Sequence, residues 1–543
     1  MRAAGGVDAA LAGRRRRSAG DPAWKSAGST SGACMNRSDR LTVLGLMALG
    51  VVPKLAALPF AMTTEADAVS RVWIAWRWLG QPEWISHGVW GPLHTYMLAA
   101  ALFVYPDPVV APAILNVLLS TATAILLYLL VRDAFGRRAG GLVAAAYCFY
   151  PVAFRNSLMA VSEVPFTFFL VLSLWLLQRA ERRAARVAGN ASGWATALAA
   201  GLTLTLAGML RYEAWAAIPL LGWQLRRRPV LLATFAAAAL AFPAIWMIGN
   251  HVHHGDALYS VHRAAYLQVE LGGYNEDLTL TGKVKRLVYY PAALGLGLTP
   301  PVALAALAGL AVGLRRRLPM PWVVPLLGLL AIFIVQALRG DLLLRGRYSI
   351  VLGTLLLPCA AALYAVVHPT ALGGGRRRPW LEIALIATML PFAYLGAQVA
   401  PRFLNSIFLY DILPVPRPDP ATYRLAAAAR AHLQGDQDAF VADFMGWRES
   451  YGIALETRLH PDRIWIAPER PGDDARALAL IALVERYPNG LLLLRQGSPL
   501  ARALEPASGG PLASLAARLE LQPIQSLDER GVALHRYALR APP

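Results

Sequence analysis

Between residues 41 and 400 apolar runs of near-spanning length recur, separated by short polar breaks. A helix needs about 20 such residues to cross the hydrocarbon core of a bilayer. The runs at 41–62, 109–131, 139–154, 158–178, 193–210, 212–225, 229–249, 289–313, 321–338, 346–367 and 380–400 predict about eleven transmembrane helices. The first is too long, and is followed by too many others, to be a removable signal peptide. One more apolar run, Leu93 to Val104, is short and ends at Tyr105-Pro106-Asp107-Pro108, which predicts an interfacial or re-entrant helix. After residue 400 the pattern changes. Short β-like runs (Ala439–Phe444, Arg463–Ala467, Leu491–Arg495, Val532–Leu539) alternate with helical ones (Ala421–Leu433, Asp473–Tyr487), and that predicts a small soluble α/β domain. The expected architecture is an all-α polytopic membrane domain over 41–400, with outer loops at 63–108 and 250–288, followed by an α/β domain over 401–543.

Composition agrees with the pattern. Hydrophobic residues make up 56% and charged residues 16%, against roughly 25% charged in an ordinary soluble chain. A net charge of +19 in a soluble protein would suggest nucleic acid. Its distribution says otherwise. Arginines cluster at 14–17, 132/137/138, 179/182/183/186, 226–228, 315–317 and 376–378, and loop arginines mark the cytoplasmic side. The N-terminal tail and these loops carry the whole excess, whereas 402–543 holds 16 Arg against 16 Asp and Glu. Eleven spans then fit with the N-terminus inside and the C-terminal domain outside a plasma or inner membrane. Residues 1–40 are Ala/Gly/Ser/Arg-rich and read as a disordered basic tail, and Met35 is the expected true start. Of the three cysteines, Cys148 and Cys359 lie in apolar runs and Cys34 in the tail, which excludes a disulfide framework.

Chemistry is expected where charge interrupts the apolar pattern on the outer side. Glu65 and Asp67, just beyond the first span, can take a proton from a hydroxyl or hold a divalent cation. Acids at a membrane edge also simply keep a loop hydrated. Tryptophans 73, 76, 78, 84 and 90 suit an interfacial belt, which does not explain His87 and His94. Ser162-Glu163-Val164-Pro165 is a helix-start signature, with Glu163 complementing the dipole. Arg211-Tyr212-Glu213 breaks a continuous apolar stretch; such charges are paired or functional, and a self-pair in a tight turn is the simple reading. His251, His253, His254 and His262 lack metal-ligand spacing and read as loop residues; Lys283, Lys285 and Arg286 suit a lipid phosphate. Arg339, Arg345 and Arg347, with Tyr348, lie on the outer side against the positive-inside trend, and paired guanidiniums hold phosphate in a fixed fork.

In this order the acidic pair, Trp90-Gly91-Pro92-Leu93-His94, Ser162-Glu163-x-Pro165, Arg211-Tyr212-Glu213 and Arg345-x-Arg347-Tyr348 resemble the C-type (GT-C) glycosyltransferase superfamily over residues 41–367. The branch they are similar to is that of the dolichyl-phosphate-mannose protein mannosyltransferases and the lipid A aminoarabinose transferases, a family 39-like group. The resemblance implies an inverting transferase that moves a sugar, mannose or a similar hexose or pentose, from a polyprenyl-phosphate donor to a protein, lipid or glycan hydroxyl. It implies Asp67 or Glu65 as base, with Mg or Mn as a candidate cation on that pair. Arg345 and Arg347 are the expected phosphate clamp, with Arg211, Lys283 and Arg286 in reserve and Glu163, Glu213, Tyr348, His87 and His94 in support. The chain departs from the family in two places: relatives show adjacent Asp-Glu where this chain has Glu-Ala-Asp, and a basic residue before Pro-Pro-Leu where it has Trp90-Gly91-Pro92. The rival readings are a flippase of lipid-linked sugars, expected to show internal repeats that are not evident here, and a non-catalytic envelope assembly protein.

Overall fold

A computed structural model describes residues 36–541 except 62–64, 86–87, 187–192, 273–278, 368–379, 390, 392–419, 469–473, 506–510 and 528–530. Residues 1–35 of the tail with Met35, His87, the arginines at 376–378 and the expected domain boundary near 400 lie outside the described residues. The end of the expected disordered tail is instead helical, because Asn36 caps the helix Arg37–Ala57 by accepting from the Asp39 N–H. Five described helical segments are by themselves long and apolar enough to cross a membrane: Arg37–Phe60, Val110–Phe135, Glu163–Arg186, Pro229–His254 and Gly346–Val367. Two expected spans, 193–210 and 321–338, are shorter apolar helices, Trp194–Gly208 and Val323–Arg339. The expected count of eleven is therefore not carried by length alone.

Two further expectations are corrected. The run 289–313 is not one straight helix: Leu280–Gly297 and Pro300–Arg315 meet at 109°. Pro300-Pro301 can only start a helix, and Thr299 turns the chain at φ 69°, so the first helix cannot continue. The two segments expected as outer loops are also largely helical. Residues 63–108 hold helices Ala66–Gly80 and Leu93–Val104, and 250–288 holds Tyr259–Gly272 and the start of Leu280–Gly297. The last is capped by Thr279, whose hydroxyl accepts from the Gly282 N–H at 3.2 Å.

The bundle has two polar ends. At one, Arg132 pairs with Asp39 (3.5 Å) and Asp133 (2.8 Å), and Arg182 also reaches Asp133 (2.8 Å). The helix Val110–Phe135 runs about 39 Å from that end to the other at 1.5 Å per residue. Its far end is capped by Asp107, whose carboxylate accepts from the Val109 and Val110 N–H groups at 2.9 Å each. The interior between is apolar and continuous, from Ala124 and Leu127 through Leu170, Leu174 and Phe235 to Phe333 and Leu352.

The C-terminal unit is a five-stranded mixed sheet in the order β2-β1-β3-β5-β4. β1 (Asp438–Ala442) pairs in parallel with β2 (Ile464–Ile466) and with β3 (Asn489–Arg495). β4 (Leu519–Leu527) and β5 (Val532–Leu539) extend it antiparallel. The helix Trp447–Glu456 links β1 to β2 and Asp474–Arg486 links β2 to β3. β4 was not expected because Pro523 interrupts its pattern; the strand sits at the edge, where proline is tolerated, with a register shift between Pro523 and Gln525. This unit docks on the helix Ala66–Gly80: Trp73 meets Tyr451 edge-on at 5.4 Å, Trp76 meets His460 at 6.2 Å, and Arg458 pairs with Asp107 at 3.2 Å.

Candidate active site

Glu65 is the residue before the helix Ala66–Gly80 and Asp67 lies in its first turn, where carboxylates complement the dipole. Glu65 is buried, so both its oxygens must be satisfied. Oε1 accepts from Arg155 Nη2 at 3.3 Å and Oε2 from Arg347 Nη1 at 3.2 Å. The second amino group of Arg347 donates to Asp67 Oδ2. Its Nε stands 3.2 Å from Glu163 Oε1, which also accepts from Arg211 Nη1 at 2.6 Å. Arg211 then grips Glu213 with two nitrogens at 2.6 and 3.1 Å. Tyr348 lies under both guanidiniums, 4.5 Å from Arg211 and 5.5 Å from Arg347. Residues up to 282 positions apart thus form one chain of charge-assisted bonds.

The expected self-pair Arg211–Glu213 is present, and it is one link of this larger network. Glu163 does more than complement a dipole: it bridges two arginines. Arg155 was missed. It lies fully buried between the runs 139–154 and 158–178, where the apolar pattern alone marks a gap between spans. An arginine flanked by two apolar runs was itself the signal.

Two further guanidiniums act on the acids without bonding to them. Arg345 and Arg71 hold Asp67 electrostatically, and Arg345 also acts on Glu65. Burial opposes ionisation of Asp67, but Arg347, Arg71 and Arg345 outweigh it and hold its carboxyl below the usual carboxylate range. Glu65 is held low in the same way, burial being outweighed by Arg347, Arg155 and Arg345. Arg71 stacks on Trp90 at 4.2 Å, with Nη1 3.4 Å from Nδ1 of the buried His94. The Arg345 guanidinium makes no hydrogen bond or ion pair among the described residues, and its Nε is shielded from water. Five guanidiniums face four carboxylates, so the cluster carries one positive charge in excess and suits an anion.

Arg347 is not an open clamp, because its nitrogens are engaged by Glu65, Asp67 and Glu163. Arg286 is buried and donates to the Ala337 carbonyl at 3.0 Å, at the end of Val323–Arg339. Lys283 and Lys285 are exposed on their helix. Arg339 pairs locally with Asp341 at 2.9 Å. Among the described residues no three His, Cys, Asp or Glu side chains are gathered to hold a metal. Glu65 and Asp67 do not fit a divalent cation as they stand: Arg347 bridges them, occupying the position of the positive charge, and the remaining oxygens are too few for a hard cation.

The departure at Trp90-Gly91-Pro92 has a packing reason. A Cβ on Gly91 would stand 2.2 Å from the Met209 carbonyl oxygen, and Leu93 N–H donates to the same oxygen at 3.3 Å. Tyr212 donates its hydroxyl proton to the Val89 carbonyl. The motif is therefore seated on the turn that carries Arg211. Gly91→Ala is expected to force these backbones apart and to cost about 1–3 kcal/mol, read as a lower thermal midpoint of the solubilised protein; an unchanged midpoint would show that the turn yields freely.

Comparison with known proteins follows from this geometry. The profile of the dolichyl-phosphate-mannose-protein mannosyltransferase family matches residues 86–241, which contain three of the five site segments. The fold overlays that of ArnT from Cupriavidus metallidurans bound to undecaprenyl phosphate, with TM-score 0.56, 14% identity, and 91% of this chain and 97% of that chain covered. The chain shares the polytopic membrane fold of that structure, the GT-C fold. ArnT in its apo state gives 0.53 at 13% identity, with the same coverage. The oligosaccharyltransferase AglB from Archaeoglobus fulgidus gives 0.48 at 12%, covering 93% of this chain and 74% of that one. Comparison with curated protein sequences finds no match. The fold shared with ArnT and the apolar helices make this a multi-pass membrane protein.

Proposed function

We propose that this GT-C protein transfers a sugar, mannose or a similar hexose or pentose, from a polyprenyl-phosphate donor to an acceptor hydroxyl, with inversion, at the outer face of a plasma or inner membrane. The observation that carries the reading is the convergence of Glu65, Asp67, Glu163, Arg211 and Arg347 from four separate segments into one cluster with surplus positive charge. The family profile supports the sugar class, and the undecaprenyl phosphate bound to ArnT supports the donor class.

The roles divide by accessibility. Asp67 is the base: its side chain is 44% exposed against 8% for Glu65, and Arg347 takes only one of its oxygens. Glu65, with both oxygens on arginines, and Glu163, whose Oε1 meets two of them, position Arg347 and through it Asp67. A sugar phosphate is already a good leaving group, so a base of depressed pKa suffices to draw off the hydroxyl proton late in the displacement. The departing phosphate is steadied by Arg345, which is free to bond it, with Arg71 held ready on Trp90. The C-terminal α/β unit lies on the same side, beside the helix that carries the base.

The test is purified protein in vesicles supplied with synthetic polyprenyl-phosphate mannose and envelope extract as acceptor. Release of polyprenyl phosphate with label transferred to the extract is expected; intact donor after prolonged incubation overturns the reading. Arg345→Ala is expected to raise the KM for donor about tenfold, the worth of one charged hydrogen bond, with folding unchanged. An unaltered donor KM would remove Arg345 from the phosphate site.

A further inference from the structure

The C-terminal sheet contains a site of its own. β1 connects onward to β2 on one side, while its other neighbour β3 connects onward to β4 on the far side, so the order reverses between β1 and β3. In open α/β sheets the crevice outside the carboxyl ends of the strands, where the order reverses, is where ligands bind. Here that crevice is a cavity of about 290 Å³. Met445, just past β1, and Arg495, the last residue of β3, open onto it, as does Val532, which pairs with Arg495 at the start of β5. Leu425 and Ile453 complete an apolar floor, and Glu449 supplies a carboxylate.

The two charged groups are the telling feature. Glu449 lies in the first turn of Trp447–Glu456, where an acid complements the helix dipole. Dipole complementarity does not require it to line a crevice opposite an arginine. Among the described residues neither the Glu449 carboxylate nor the Arg495 guanidinium makes a hydrogen bond or an ion pair, with each other or with anything else. The strand end itself is rigid. Asp443 is buried and accepts from the Arg495 N–H at 2.9 Å and from the Ser498 hydroxyl.

We propose that this crevice binds one pyranose residue of a saccharide acceptor, an inference that rests on the glycosyltransferase reading. A pyranose offers hydroxyls that donate to a carboxylate and accept from a guanidinium, and a C–H face that packs on Leu425, Ile453 and Val532. The volume is at the lower end for small-ligand pockets and suits a single ring. The helix that carries Glu449 also connects the crevice to the active site. Glu449 and Ile453 face the crevice, while Tyr451, stacked on Trp447 at 4.8 Å, meets Trp73 of the Asp67 helix.

The experiment is saturation-transfer NMR on the full chain in nanodiscs, titrated with the methyl glycosides of mannose, glucose, galactose and arabinose. At least one is expected to bind saturably, with Arg495→Ala and Glu449→Gln each weakening it about tenfold and Asp67→Asn leaving it unchanged. Absence of saturable binding by all four, or binding that both crevice variants retain, overturns the proposal. So does binding that Asp67→Asn abolishes and the crevice variants keep, because the sugar then occupies the transfer site. If a glycoside binds in the crevice and no donor is consumed, the glycosyltransferase reading fails and the crevice stands. If donor is consumed and no glycoside binds, the reverse holds.

Discussion

Replacing Asp67 by Asn is expected to lower sugar transfer by about 10²–10⁴-fold, the usual worth of a general base, while the protein inserts and folds normally. The substitution keeps the shape and one acceptor oxygen for Arg347 but removes the only half-exposed carboxylate among those that Arg347 binds. Glu65→Gln is expected to act differently. Glu65 accepts from Arg155 and Arg347 and does not reach solvent, so its loss should disturb stability and kcat together. If Glu65→Gln abolishes transfer and Asp67→Asn is silent, the roles are reversed. The pH profile gives a second readout. Arg347, Arg71 and Arg345 hold Asp67 below the usual carboxylate range, so it stays ionised as pH falls through about 4, the ordinary value for Asp. Transfer is therefore expected to hold down to that pH and to fall only beneath it, as Asp67 protonates. Arg71→Met removes one of the three cations and should move this acid limb upward. A limb that stays in place would separate Arg71 from the base.

Arg347→Met is expected to destabilise the fold by about 3–5 kcal/mol, as removing one partner from a buried ion pair does. The side chain is 4% exposed and meets three carboxylates, so its loss leaves like charges facing each other out of water. The measurement is the thermal midpoint and the yield of monodisperse protein in detergent. Lysine is a poor substitute, because a compact ammonium cannot fork between Glu65, Asp67 and Glu163. Combining Arg347→Met with Glu65→Gln is expected to recover part of the loss, since the pair is directly coupled. Full stability of the single variant would deny Arg347 its place at the centre of the cluster.

The five motifs were legible in the sequence because each breaks an apolar run with charge, and charge in lipid needs a reason. Their division of labour was not. Arg345 and Arg347 sit two residues apart in the same motif, yet one is engaged by three acids and the other by none among the described residues. Local spacing carries no information about partners roughly 90 and 280 positions away. The same limit hid Arg155, whose role depends on Glu65 arriving from another helix. It also hid the bond from Arg286 to the Ala337 carbonyl at a helix end.

Hydrophobic periodicity by itself determined that most of the chain is helical and built for lipid, and that the end is a small α/β unit, because burial of apolar surface and backbone hydrogen bonding act on every residue locally. The arginine pattern determined an expected orientation for the same reason. Tertiary structure alone decided the edge position of the strand carrying Pro523 and the docking of the C-terminal unit on the Asp67 helix. It alone decided which carboxylate meets solvent. Ion pairs and packing faces are chosen between segments that meet only after folding, and there the energetics belong to the contact rather than to either stretch of sequence.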